Sequence, residues 1–327
     1  MNTLRKIFKI LFWSLVIWLF IRGFVLQTFR IPSASMYATL SSGDYVVINK
    51  LAYGARLPIT PLSIKINDTK KYLDWIQLPY MRLFGFSNIK RNDLVAFNYE
   101  LEQLHPTDIQ EEYIKRCVAL PGDTLKIIAG KVYANNKLTE TNHAYYNYTV
   151  KSELIIDTLL LRNAGIKADR VWDNGKSYFL FMNQASADSL SKLKHILSVV
   201  IDLYSRDYYH PSIYPNSSVF NWNNDYFGPL WIPKKGDSIL LTHSNLILYQ
   251  RCIEKYENQT ISFKQDSTFI SGKKAKYYRF KQNYYFMMGD NRHNSIDSRV
   301  IGLIPEDHII GKASFILNAY LNPFRKL

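Results

Sequence analysis

The chain sets one long apolar block against a long stretch of shorter, mixed rhythms. Residues Ile7 to Leu26 read IFKILFWSLVIWLFIRGFVL, a run of 20 residues. A helix of that length spans roughly 30 Å, the thickness of a hydrocarbon core. Lys9 and Arg22 lie near its ends, where long cationic side chains can reach the headgroups. Arg5, Lys6 and Lys9 precede or open the span with no acidic residue before them, which puts the N-terminus in the cytoplasm and the rest outside. No second run of about 18 apolar residues follows, so one span is expected. The competing reading is a cleavable signal peptide: the basic start fits it, and Ser33-Ala34-Ser35 would serve as its small-residue cleavage site.

Beyond the block, the chain alternates short β-like runs with turn signals. Asp44–Asn49, Asp93–Asn98 and Glu112–Val118 read as strands, with turns at Ser42-Gly43 and Pro121-Gly122. Thr124–Ile128, Ala129-Gly130 and Lys131–Ala134 read as a hairpin. Tyr284–Met288 and Lys312–Leu317 look like strands again. Between about 140 and 230 the rhythm changes. Glu153–Ala164 and Ala187–Ile196 carry helical periodicity, the second with Ser186 as its expected N-cap, and Ser177–Met182 is strand-like. Ser244–Tyr256 reads as a further helix with Asn245 and Gln250 on a polar face. Residues 56–92 show no clear period and are expected to form a long loop near the membrane.

Composition adds limits. Apolar residues make up 47% of the 327, enough for a sizeable core, and 24 Tyr and 18 Phe suit a β-rich domain. The net charge of +14 points to an anionic lipid surface before nucleic acid, because the basic clusters, such as Lys273-Lys274-Ala275-Lys276, are short. We expect no nucleic-acid partner. Two cysteines, Cys117 and Cys252, cannot build a zinc cluster, and the seven histidines show no HExxH or HxxxH spacing. No metal and no cofactor is expected. A Cys117–Cys252 disulfide and two buried free thiols stand as equal alternatives.

Three segments carry chemistry. The first is Ile31-Pro32-Ser33-Ala34-Ser35-Met36, directly after the apolar block. A neutral serine hydroxyl is a poor nucleophile and needs a base. No GxSxG elbow is present, although a Ser/His/Asp triad assembled from distant positions stays open. Lysine can serve as the base when burial keeps it neutral. The second segment supplies one. In Tyr113-Ile114-Lys115-Arg116-Cys117-Val118, alternation puts Tyr113, Lys115 and Cys117 on one strand face. The third, Met287-Met288-Gly289-Asp290-Asn291-Arg292-His293-Asn294-Ser295-Ile296-Asp297-Ser298-Arg299, reads as a loop with a polar network.

In this order, the three segments closely resemble the bacterial type I signal peptidases, the serine–lysine proteases that remove secretory signal peptides. The resemblance extends to the membrane anchor before the serine, Ser42-Gly43-Asp44, Leu120-Pro121-Gly122-Asp123, Gly302–Glu306 and Gly311–Ala313. It implies a mainly β fold: an antiparallel β-sheet or barrel catalytic domain with an α/β cap insertion and one transmembrane helix. The expected division is 1–28 for the cytoplasmic start and helix, 29–139 with 231–327 for the catalytic domain, and 140–230 for the inserted cap.

The resemblance also implies roles. Ser35 matches the nucleophile and Lys115 the general base. The Ser35 backbone N–H and the Ser33 hydroxyl match the oxyanion hole. Ser295 matches the lysine-orienting serine, and Asp297 with Arg299 a structural ion pair. Tyr113 and Met287 match residues packing on the lysine stem. Ile31, Pro32 and Ile114 match walls of shallow substrate pockets, suited to Ala-x-Ala sites. The implied partners are signal peptides of secreted preproteins, the lipid bilayer and the vicinity of the Sec translocon. The implied place is the bacterial cytoplasmic membrane, with the catalytic domain on the extracytoplasmic side.

Three positions depart from the family pattern. Ala38 stands where Pro is usual, Ala34 where Gly is usual, and His293 where Asp is usual. His293 is read as a structural substitution rather than a second base. Rival readings are a self-cleaving repressor-type serine–lysine protease, for which residues 1–30 hold no DNA-binding module, a catalytically silent membrane-anchored relative, and a secreted structural protein.

Overall fold

The computed structural model describes every residue except 1, 67, 68, 74, 101–104, 140, 141, 165, 265, 266 and 319–321. The expected start of the cap at 140 therefore lies outside the described residues. The chain is mainly β, with 36% strand against 18% helix, and its sheets are built from antiparallel pairs such as 26–30 with 45–49 and 94–99 with 111–116. It divides into two compact units. One comprises Met1–Pro32, Ser42–Cys117 and Ile304–Leu327; the other comprises Ser33–Ser41 and Val118–Leu303.

The first unit begins with the helix Asn2–Phe20, continued by a wider π-helical turn, Ile21–Val25. Leu4–Val25 is long and apolar enough to cross a membrane, and none of its most apolar stretch is buried in protein. The strand Leu26–Arg30 follows with no intervening residue. It pairs with Tyr45–Asn49 in the register Leu26↔Asn49 to Arg30↔Tyr45. The ladder then runs through Ile309–Asn318 and Leu94–Tyr99 to Glu111–Ala119. Lys50 closes the corner where helix meets sheet. Its ammonium donates to the carbonyls of Arg22 and Gly23, both at 3.0 Å. Burial, and after it the nearby Arg56, lower the Lys50 pKa to about 8.

The 56–92 stretch is more regular than expected. Ser63–Ile66 and Thr69–Tyr72 pair as a hairpin, and backbone bonds such as Leu57 N–H to Met81 O and Leu83 N–H to Ala55 O fasten the remainder. Prolines broke the period without preventing pairing.

The second unit has two apolar cores. One gathers Val118, Leu125, Phe227, Phe280, Tyr284, Phe286 and the helix residues Tyr249 and Ile253. The expected hairpin Thr124–Ile128/Lys131–Ala134 lies here, paired also to Phe227–Trp231. Its two-residue turn has positive φ at both Ala129 (49°) and Gly130 (77°), the handedness that a two-residue hairpin favours. The helix expected at Ser244–Tyr256 runs over His243–Arg251 and continues as a π-helical turn, Cys252–Tyr256. Cys252 is a buried thiol outside any disulfide, so the pairing with Cys117 is not taken up.

The other core is built by a four-stranded sheet ordered 167–172, 177–183, 145–152, 196–201. Only one of these strands, Ser177–Asn183, was expected. Helix forms at Thr158–Asn163 rather than from Glu153, and at Gln184–Leu190 rather than to Ile196. The cap of the second helix is Asn183, whose side chain accepts from the Ser186 N–H at 2.8 Å; Ser186 is the residue capped, not the cap.

Candidate active site

The sequence-selected residues are divided between the two units. Ile31, Pro32, Tyr113, Ile114 and Lys115 lie in the first; Ser33, Ser35, Met287, Ser295, Asp297 and Arg299 lie in the second.

In the first unit, Lys115 sits on the strand Glu111–Ala119, opposite Val95. The strand begins exposed and is buried from Ile114 onward, so Lys115 is only 4% exposed despite its charge. Its ammonium lies 5.6 Å from the centroid of the Tyr113 ring. That ring stacks on Phe97 at 5.9 Å and meets Tyr99 edge-on at 6.0 Å. Burial, then the neighbouring Glu111, push the Tyr113 phenol up to about 12. An aromatic ladder thus covers one side of the lysine. Ile31 is buried and continues the edge pairing, with its N–H to Asp44 O and its carbonyl accepting from Gly43, both at 2.8 Å. Pro32 is exposed and Ile114 buried.

In the second unit, Ser35 lies in a turn rather than a strand. Tyr37 N–H bonds Ala34 O at 3.0 Å, and Leu40 N–H bonds Met36 O at 2.8 Å. The hydroxyls of Ser33 and Ser35 are 3.4 Å apart. The turn is gripped from the polar loop. Asn291 donates its side-chain amide to Ala34 O and its backbone N–H to Ser35 O, each at 3.1 Å. Thr39 donates to Asp290 at 2.5 Å.

Gly289 explains how close these pieces come. A Cβ there would lie 2.2 Å from Ser295 Oγ and 2.6 Å from the Ser35 carbonyl oxygen. Only glycine lets Ser295 and the Ser35 backbone flank the same residue. Its N–H donates to Asp297 at 3.0 Å.

Asp297 is the hub beneath. Arg299 meets it through Nε at 2.9 Å and Nη2 at 2.8 Å, a two-pronged pair with both side chains buried. Burial alone would raise the Asp297 pKa. The Arg299 charge and the hydrogen bonds of Arg299 and Gly289 outweigh it and hold the carboxyl below its usual range. Arg299 Nη2 also donates to Arg292 O at 2.7 Å, so the pair braces the loop from end to end. Met287 is fully buried, with its N–H on the Ser298 hydroxyl at 2.9 Å.

His293 bridges the loop to two other segments of the second unit. Its Nδ1 accepts from the Asn147 N–H at 3.1 Å, which leaves the ring proton on Nε2, 3.3 Å from Asp225. The ring joins the loop to the 145–152 strand. Among the described residues, no group of three His, Cys, Asp or Glu could hold a metal ion. Gly289, Asp290, Asn291 and Thr39 were not singled out from sequence. The polar density of 287–299 marked the loop, but nothing local marked which of its residues reach back across the chain.

The family model described as "Signal peptidase, peptidase S26" matches residues 4–191 and 232–318, so both the serine segment and the polar loop lie within it. The chain belongs to the signal peptidase family, peptidase S26. It is accordingly a serine endopeptidase. Signal peptidase I of Buchnera aphidicola subsp. Schizaphis graminum is 27% identical over 308 residues, covering 90% of this chain and 69% of that protein. Signal peptidase I of Rickettsia akari is 27% identical over 299 residues, 91% of this chain and 73% of that one. Over a shorter span of 135 residues, 41% of this chain and 37% of the relative, Signal peptidase I of Pseudomonas aeruginosa is 36% identical. The resemblance read from the motifs in this peptidase and the family match agree.

Proposed function

We propose that this peptidase removes signal peptides from secreted preproteins after small residues, with Ser35 as nucleophile and Lys115 as general base. The observation that carries the reading is a lysine 4% exposed on a strand, in a family of serine endopeptidases. A buried lysine is disfavoured as an ammonium, and the reaction needs it as a neutral amine. Supporting it, the Ser35 turn and Ser295 flank Gly289.

In the proposed reaction, Lys115 Nζ takes the Ser35 hydroxyl proton as Oγ attacks the scissile carbonyl. The Ser35 N–H and the Ser33 hydroxyl donate to the resulting oxyanion. The tetrahedral intermediate collapses, the C–N bond breaks, and the Lys115 ammonium returns the proton to the leaving amine. Water, deprotonated by Lys115, then attacks the ester, and its collapse frees the acid and restores Ser35. Ser295 orients the lysine, while the Asp297–Arg299 pair holds the loop that carries Ser295. Ile31, Pro32 and Ile114 wall pockets that admit side chains of alanine size.

In the same reading, residues 29–139 and 231–327 carry the reaction, and 140–230 is an inserted cap. The helix anchors the enzyme in the cytoplasmic membrane with its N-terminus inside, near the Sec translocon. A substrate whose apolar segment shares that bilayer meets the site at raised effective concentration. The test is preprotein cleavage by purified Ser35→Ala and Lys115→Met variants with wild-type circular dichroism. Both are expected to lose turnover. Retained cleavage in either one overturns the assignment, and the silent-relative reading predicts no activity in the wild type.

A further inference from the structure

The turn that carries Ser35 holds one residue in a conformation its side chain disfavours. Ala38 has φ +84°, in the left-handed region that a Cβ makes costly. Proline cannot reach it, because its ring fixes φ near about −65°. This is the position where the resembling family usually carries proline. Such strain persists only where the surroundings over-determine it, and here the surroundings can be named.

One grip comes from the polar loop, through Thr39 on Asp290 and Asn291 on the Ala34 and Ser35 carbonyls. The other comes from the four-stranded sheet of residues 145–201. The Tyr37 ring packs on Phe181 at 5.4 Å between centroids, and Phe181 packs on Tyr145 at 5.1 Å. The Lys167 ammonium lies 5.9 Å from the Tyr37 centroid. Tyr145 also ties the sheet to the polar loop. Its N–H donates to Asp290 O at 2.8 Å, and its carbonyl accepts from the Arg292 N–H at 3.0 Å. Sheet and loop are fastened to each other, and both fasten the turn.

We propose that the 145–201 sheet is a positioning element for the nucleophile. Phe181, acting through Tyr37, keeps the Ser33–Ser41 turn in the strained form that presents Ser35. Side-chain contacts hold the turn in this form, which gives this segment a part in turnover. The inference rests on the reading of Ser35 as nucleophile.

The test uses the full chain in detergent, in four forms: wild type, Phe181→Ala, Phe181→Tyr and Ala38→Pro. Three readouts are taken: kcat and KM on a preprotein, the rate of acylation by a serine-reactive penem with the labelled residue mapped by mass spectrometry, and the thermal midpoint. Phe181→Ala is expected to slow kcat and Ser35 acylation by about tenfold or more, with KM changed far less. Phe181→Tyr keeps the ring contact and retains most of both rates. Ala38→Pro slows acylation, since the ring forbids the observed φ. A Phe181→Ala protein with a lowered midpoint but wild-type acylation and kcat below it would reduce the contact to packing and overturn the proposal. A penem label on a residue other than Ser35 in the wild type overturns the nucleophile reading instead.

Discussion

Lys115 and Ser35 are held by opposite means. The lysine lies on a regular strand, in a ladder that sets its position by backbone register, under rings that cover it by apolar packing. The serine lies in an irregular turn with a strained neighbour, held by side chains that reach it from far along the chain. Strand geometry suffices where a group must be dry and fixed in depth. In the proposed reading of Ser35, a nucleophile must stand clear of the backbone to meet a carbonyl and cannot sit inside a ladder, so its placement falls to individual side-chain contacts. Loss of a ring beside the lysine should therefore surface as lost stability, and loss of a contact made directly to the Ser35 turn as lost turnover.

The largest expected effect tests the brace beneath the serine side. Arg299→Met strands the buried Asp297 carboxylate, and breaking a buried pair in this way costs roughly 3–5 kcal/mol. Urea unfolding should read that loss at neutral pH. The sign with pH follows from the lowered Asp297 pKa. The folded protein releases that proton more readily than the unfolded chain, so the pair stabilises fully above the ordinary carboxylate range. The stabilisation is lost as pH falls through the lower folded value, and the gap between wild type and variant should close in acid. A constant gap would count against the pair. On the lysine side, Phe97→Ala removes the ring under Tyr113 and should cost about 3 kcal/mol in the same assay, with kcat near wild type at temperatures where the variant is folded. A kcat collapse in a folded Phe97→Ala protein would erase the contrast between the two sides. The smallest effect in free energy is the most selective. Gly289→Ala forces Ser295 and the Ser35 carbonyl apart and should lower kcat on the order of 100-fold, since misplacements of an ångström carry that cost. Its unfolding midpoint should fall less than that of Arg299→Met, and unchanged kcat would show that the approach at Gly289 does not matter.

Much of the first unit was legible because its strands announce themselves locally. Asp93–Asn98 and Glu112–Val118 are apolar runs bounded by turn residues, and each forms within one residue of its expected ends. The 145–201 sheet was not legible in the same way. Tyr145–Ser152 does alternate in burial, with Tyr146, Tyr148, Val150 and Ser152 inside, but Tyr stands on both faces and Ser152 is polar inside, which blurs the chemical alternation. Leu154, Ile155 and Leu159 mimic a helical stripe, yet all three are exposed and only 158–163 coils. Helical period weighs spacing alone, whereas this segment is decided by pairing with distant partners. At the candidate site, the types and order of residues pointed to Ser35, Lys115 and Ser295. They could not point to Gly289 or Asn291, whose place there is a matter of what arrives from elsewhere to touch them.

The corner at Lys50 carries a mechanical consequence. A helix joined to its domain by a slack linker passes on position but not orientation. Here the helix runs into the first strand without a spare residue, and its last carbonyls are bonded to a side chain of the sheet. The joint behaves as a bracket rather than a hinge. Rotating or tilting the helix is therefore expected to turn the strand that leads to Ile31, so that helix and sheet answer to a torque as one lever.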